Sequence, residues 1–132
     1  MSRVFVDTSA IFALLVPSDQ AHLKAVGIFD RLRVSEAVLV TTSYVLVETY
    51  SLLATRVGRD GVKAFRYGFV PLFDVVWVDN DLHERGLDLM MTKARGVSLV
   101  DSVSFVCIRD EKLDRVFAFD RHFDQEGFLM LA

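Results

Sequence analysis

Short apolar runs alternate with longer stretches of helical pattern along this 132-residue chain. Val4–Val6, Ala37–Thr41, Val75–Val78 and Val116–Phe119 are almost entirely apolar, as in strands buried on both faces of a parallel sheet. Phe128–Leu131 reads as a last edge strand. Helical patterns fill the gaps: Ala10–Val16, Ser18-Asp19 to Val34, Tyr44–Val57, and a weaker Val62–Phe73 interrupted by Gly68 and Pro71. A further helix runs from Asp79 to about Arg95, where Gly96 ends it, and another from Ser98 to Ile108. Gly58–Gly61 and Arg121–Asp124 read as turns. Strands alternating with helices predict an α/β fold: βαβ units, a mostly parallel sheet, and helices on both faces. No repeat, linker or low-complexity tract divides residues 1–132, so a single domain is expected.

Against that apolar background four acids stand alone. Asp7 is the only charge from Val4 to Ser18, and it falls where the first strand ends. Glu48 is the only charge from Ala37 to Thr55, on a helix apolar nearly all round. Asp101 is the only charge between Gly96 and Arg109, and Asp120 ends the fourth strand as Asp7 ends the first. Two of these have an equally good local reading. Asp7 suits a cap on the following helix, and Ser98 with Asp101 has the spacing of a capping box. Cap and site are compatible, since a helix N-terminus favours an ionised carboxylate in either role.

In a parallel α/β sheet all four acids can reach the carboxyl edge, where ligands of such sheets bind. Carboxylates gathered there repel one another, and a hard divalent cation relieves the repulsion. Oxygen-only ligation suits Mg²⁺ or Mn²⁺, and no His or Cys spacing suggests zinc. Such an ion can hold a phosphodiester oxygen, acidify water and neutralise charge on a leaving oxygen. Other charged groups look local: Asp81 and Glu84 have capping-box spacing, and His22 and His83 read as solvated.

Composition narrows the field further. With 52% hydrophobic and 25% charged residues the chain is globular, and its net charge of -3 argues against simple coating of nucleic acid. The single Cys107, in an apolar setting, is core filler; it allows no internal disulfide and fits a reducing compartment. Glu48 and several hydroxyls argue against a membrane span over Ala37–Thr55, and no cleavable leader is evident at the start. A soluble, cytoplasmic protein is expected. There is no Gly-x-Ser-x-Gly elbow, phosphate loop or dinucleotide fingerprint.

Val6-Asp7-Thr8-Ser9-Ala10, Glu48 early in its helix, Leu99–Phe105 and Phe117–Asp124 together resemble a PIN domain. More narrowly they are similar to the VapC-type toxins of prokaryotic toxin–antitoxin pairs, in order and over essentially the whole chain. The resemblance implies a three-layer α/β/α sandwich and a Mg²⁺- or Mn²⁺-dependent endoribonuclease. Asp7, Glu48, Asp101 and Asp120 would then form the acidic metal site, with Ser9 supplying a hydroxyl that hydrogen-bonds within it. Asp124 stands equally as an extra acid or a polar turn residue, and Arg121 as a phosphate contact or a solvated side chain. The resemblance also implies a homodimer and a cognate antitoxin whose tail fills the active-site groove. Two rivals remain. One is a non-catalytic PIN-like module that binds RNA or a partner. The other is a Mg²⁺-dependent phosphohydrolase or receiver-like domain, disfavoured because Asp7 has no second acid two positions on and no Lys follows the fourth strand.

Overall fold

The computed structural model describes residues 2–132. Its four strands are β1 (Arg3–Val6), β2 (Val38–Thr42), β3 (Phe73–Val76) and β4 (Arg115–Phe117). They form one all-parallel sheet in the order β3-β2-β1-β4. Between them lie α1 (Thr8–Leu15), α2 (His22–Val34), α3 (Ser43–Arg56), α4 (Arg59–Gly68), α5 (Asn80–Met90), α6 (Leu99–Asp110) and α7 (Arg121–Gln125), with a 3₁₀ turn at Val70–Leu72. From β1 the chain winds outward through β2 to β3, then returns past β1 to β4. With right-handed crossovers, the outward and returning helices cover opposite faces. The direction of winding reverses between β1 and β4, and a crevice forms at the carboxyl ends of such a pair.

The apolar runs explain the strands. Val4, Phe5, Val6, Val40, Val116 and Phe117 are all essentially inaccessible, as two-sided coverage requires. Phe123 of α7 is fully buried, with its ring centroid 6.2 Å from Phe5 of β1 and 5.1 Å from Phe105 of α6. That aromatic triplet fixes α7 on both β1 and α6; such a ring stabilises by about 1.5–3 kcal/mol through burial alone. On the returning side α5 packs closely on α6. A Cβ at Gly86 would lie 2.4 Å from Val103 Cγ2, so only glycine permits this approach.

Several boundaries differ from expectation for local reasons. β3 starts and ends two residues early: the turn containing Pro71 launches the strand at Phe73, and Val78 N–H donates to Ser43 Oγ (2.9 Å) instead of to a ladder. α2 starts at His22 because Asp19 caps a preceding turn, accepting from Ala21 N–H. Gly58, at φ +100°, ends α3 and lets α4 begin at Arg59. α5 stops at Met90, where the Thr92 hydroxyl donates back to Leu89 O (2.7 Å). Arg121–Gln125 is a short helix, not a turn. The expected edge strand shrinks to one bridge, Val116 with Met130. Ala37–Thr55 is divided between β2 and α3, and no helix among the described residues is long and apolar enough to cross a membrane.

Candidate active site

Three of the four isolated acids sit at helix N-termini on the carboxyl side of the sheet. Asp7 follows β1 directly and caps α1, its Oδ2 accepting from Ser9 N–H (3.1 Å). Asp120, three residues beyond β4, caps α7 and accepts from His122 N–H (2.9 Å). Asp101 is the third residue of α6 and closes a capping box with Ser98. The backbone dipoles of all three helices therefore favour the ionised acids. Glu48 lies in the second turn of α3, half-buried.

The neighbouring hydroxyls hold these elements in register. Ser9 Oγ donates to Asp7 Oδ2 (2.7 Å) and accepts from Phe119 N–H (2.9 Å), so one hydroxyl links the ends of β1 and β4. Asp7 N–H itself donates to Phe117 O (3.1 Å) and extends the pairing of those strands. Thr41 Oγ1 donates to Val6 O (2.7 Å), Thr42 caps α3, and Thr8 and Thr49 share a hydroxyl contact of 3.0 Å. Thr49 adjoins Glu48, so this buried contact seats α3 against α1 and sets where Glu48 stands.

Electrostatically the cluster is uncompensated. Asp7 is 3% exposed and its Oδ1 is buried without a hydrogen-bond partner. Burial pushes its pKa up to about 7; the Ser9 bonds oppose this, while Asp101 and Glu48 add to it. Burial also raises Asp101, reinforced by Asp120 and Glu48, against the lowering effect of Ser98 N–H and His122. These influences link Asp7 with Asp101 and Glu48, and Asp101 in turn with Asp120 and Glu48. Among the described residues none of them pairs with a Lys or Arg.

These side chains fit a hard divalent cation: the donors are carboxylate oxygens, and the buried Asp7 Oδ1 lacks a partner in the protein. The tightest grouping includes a residue that sequence reasoning passed over. Ligand atoms of Asp101, Asp120 and His122 all lie within 4.8 Å of one another. His122 Nδ1 is 3.0 Å from Asp120 Oδ1 and 3.4 Å from Asp101 Oδ2, in line for a hydrogen bond to neither. Its signal lay in its position two residues beyond an acid at a strand end: an Asp cap folds the chain back and turns that side chain toward the site. Arg121 and Asp124, by contrast, are exposed on α7 and outside this network.

Comparison with known proteins finds relatives over nearly the whole chain. The chain is 35% identical over 129 residues to the 23S rRNA-specific endonuclease VapC20 of Mycobacterium tuberculosis, covering 96% of this chain and 95% of that protein. The crystal structure of VapC20, described as a sarcin-ricin loop cleaving toxin, superposes with a TM-score of 0.83 at 32% identity over 96% of each chain. FitAcB from Neisseria gonorrhoeae shares the fold at 15% identity, with a TM-score of 0.69 over 98% of this chain and 96% of that one. The family described as PIN domain matches residues 4–129, which takes in every strand but the first residue of β1 and all four acids; this chain belongs to the PIN-domain family.

Proposed function

We propose that the protein is a divalent-metal-dependent endoribonuclease and the toxin of a toxin–antitoxin pair. The observation that carries this reading is that Asp101 acts on Asp7 and Asp120, with Glu48 beside them, at the switch point of the sheet, and that none of these acids pairs with a Lys or Arg among the described residues. The 35% identity to an rRNA endonuclease over nearly the whole chain supports the choice of RNA as substrate.

In this reading Asp7, Glu48, Asp101 and Asp120 hold Mg²⁺ or Mn²⁺. When bound, the ion supplies Lewis acidity toward a phosphodiester and lowers the pKa of water. The protein's part is positional. Ser9 keeps the Asp7 carboxylate aimed with Oδ2 occupied and Oδ1 free. The capping box fixes Asp101, and the α7 cap fixes Asp120. The helix N-termini favour the ionised carboxylates and so oppose the burial that raises Asp7 and Asp101. The exposed Arg121 is a candidate for a phosphate contact, and Asp124 for a peripheral acid. Partners in this reading are an RNA with accessible loops, an antitoxin occupying the groove, a second copy of the chain, and a cytoplasmic setting.

Incubating purified protein with structured ribosomal RNA fragments, with Mg²⁺, with Mn²⁺ and with EDTA, tests the proposal. Cleavage at defined positions that needs the ion and disappears in Asp101→Asn is expected. RNA binding without cleavage in either metal would instead favour a non-catalytic PIN-like module.

A further inference from the structure

We propose that His122 is a protein donor to the divalent cation, completing with Asp101 and Asp120 a mixed nitrogen–oxygen face of the site. This rests on the metal-dependent reading above and adds to it a ligand of a different chemical type. The argument is geometric. Cis donors on an octahedral ion with bonds of ~2.1 Å stand about 3 Å apart, and trans donors about 4 Å. His122 Nδ1 lies 3.0 Å from Asp120 Oδ1 and 3.4 Å from Asp101 Oδ2. All three donor atoms fall within 4.8 Å. An ion could therefore be accepted with only small side-chain adjustments.

The surroundings of the nitrogen point the same way. Nδ1 is buried and makes no aligned hydrogen bond, although two carboxylates lie close enough to accept one. Buried polar atoms without partners are uncommon, and a missing ion is one of their ordinary explanations. The ring is held in place from its own helix: His122 N–H is bonded to Asp120, and Phe123 beside it is locked into the core. Gly96 lies near the far end of the ring; a Cβ there would stand 4.0 Å from His122 Nε2.

An imidazole donor changes which ion the site prefers. Mg²⁺ favours oxygen and keeps its water, whereas Mn²⁺ and later first-row ions accept imidazole more readily. His122 therefore makes the site discriminate for Mn²⁺ over Mg²⁺, and His122→Ala should weaken Mn²⁺ binding by about tenfold or more while affecting Mg²⁺ less.

The deciding experiment is pulsed electron paramagnetic resonance on the full chain loaded with Mn²⁺, beside calorimetric titration of Mn²⁺ and Mg²⁺. The wild-type spectrum should show the coupling of a directly bonded ¹⁴N nucleus. That coupling should convert to ¹⁵N in protein grown with labelled histidine, and vanish in His122→Ala. Bound Mn²⁺ without nitrogen coupling would overturn the proposal while leaving the carboxylate site intact. So would His122→Ala binding Mn²⁺ as tightly as wild type or more tightly, since the imidazole would then be occupying the cation's place in the free protein. Failure of the wild-type protein to bind either ion would overturn the metal-dependent reading itself. The wild-type spectrum decides the matter even if the variant folds poorly.

Discussion

Asp101 and Asp110 lie near opposite ends of α6, and their surroundings treat the two carboxyls in opposite ways. Asp110 is at the end where the helix dipole disfavours an acid, yet the Arg85 guanidinium beside it (2.6 and 3.0 Å) holds its pKa below the usual range. Glu126 has the same kind of compensation: partial burial raises its pKa, and Lys93 and Arg109 outweigh that and hold it low. Asp101 is at the favourable end, but burial and neighbouring acids raise its pKa, and no Lys or Arg answers it among the described residues. The chain contains 15 Lys and Arg, so bases are not scarce; among the described residues Arg85, Lys93 and Arg109 pair with acids away from the switch point, and none pairs with the four acids there. Where an acid has a base, it ties surface elements together. Where four acids have none, their joint charge is free to bind a cation.

The largest expected effect of breaking this contrast is on catalysis. Asp7→Asn and Asp101→Asn should each lower RNA cleavage by at least about a hundredfold. Asp110→Asn, equal in chemistry and on the same helix as Asp101, should stay within about twofold of wild type. Comparing initial rates in Mg²⁺ checks both halves. Equal losses in all three would mean that the difference between the ends of α6 has no functional meaning.

The next effect is on stability against pH. The pKa of Asp7 is near 7 in the fold and 3.8 as its ordinary value, so the folded state binds the extra proton between them. The contribution of Asp7 to the stability of the metal-free protein therefore falls as pH rises from about 4 to 7, and levels off above. Three units correspond to on the order of 4 kcal/mol as an upper bound. Denaturant unfolding in EDTA at several pH values should show this decline in wild type and a flatter profile in Asp7→Asn. A decline no steeper in wild type than in Asp7→Asn would contradict the raised pKa.

A smaller effect concerns how α6 is carried. Gly86→Ala would force a methyl into Val103, two residues along from Asp101, and should cost about 1–3 kcal/mol. Thermal unfolding measures the loss. Little change would mean that α5 does not set the position of α6 so tightly.

The parallel sheet and its helices were legible because two-sided burial leaves an almost unbroken apolar run in each strand. The four acids were legible for the same reason: a lone charge beside such a run is conspicuous. A role as cap was equally visible in the spacing of Ser98 and Asp101, and in the structure Asp101 closes that capping box while standing near Asp120 and His122. His122 had only the local signal of following a capping acid, and its relevance also needs Phe123 to pin α7, a consequence of tertiary packing. The early start of β3 was hidden, because Val75–Val78 looks more strand-like than Phe73–Val76 until Ser43 claims the amide of Val78. Buried threonines gave no sequence signal, although Thr8 and Thr49 set the seat of Glu48.

The central claim is that the acids at the switch point are held at a cost to the metal-free fold in order to bind a divalent cation. Thermal unfolding of wild type and Asp7→Asn at pH 8, each in EDTA and in Mn²⁺, tests it most directly. The account predicts that Asp7→Asn melts higher than wild type in EDTA, because a buried charge has gone, and that Mn²⁺ raises its melting temperature less. A variant that melts lower in EDTA yet keeps the full Mn²⁺ response would show Asp7 to be a helix cap alone, and would contradict the account.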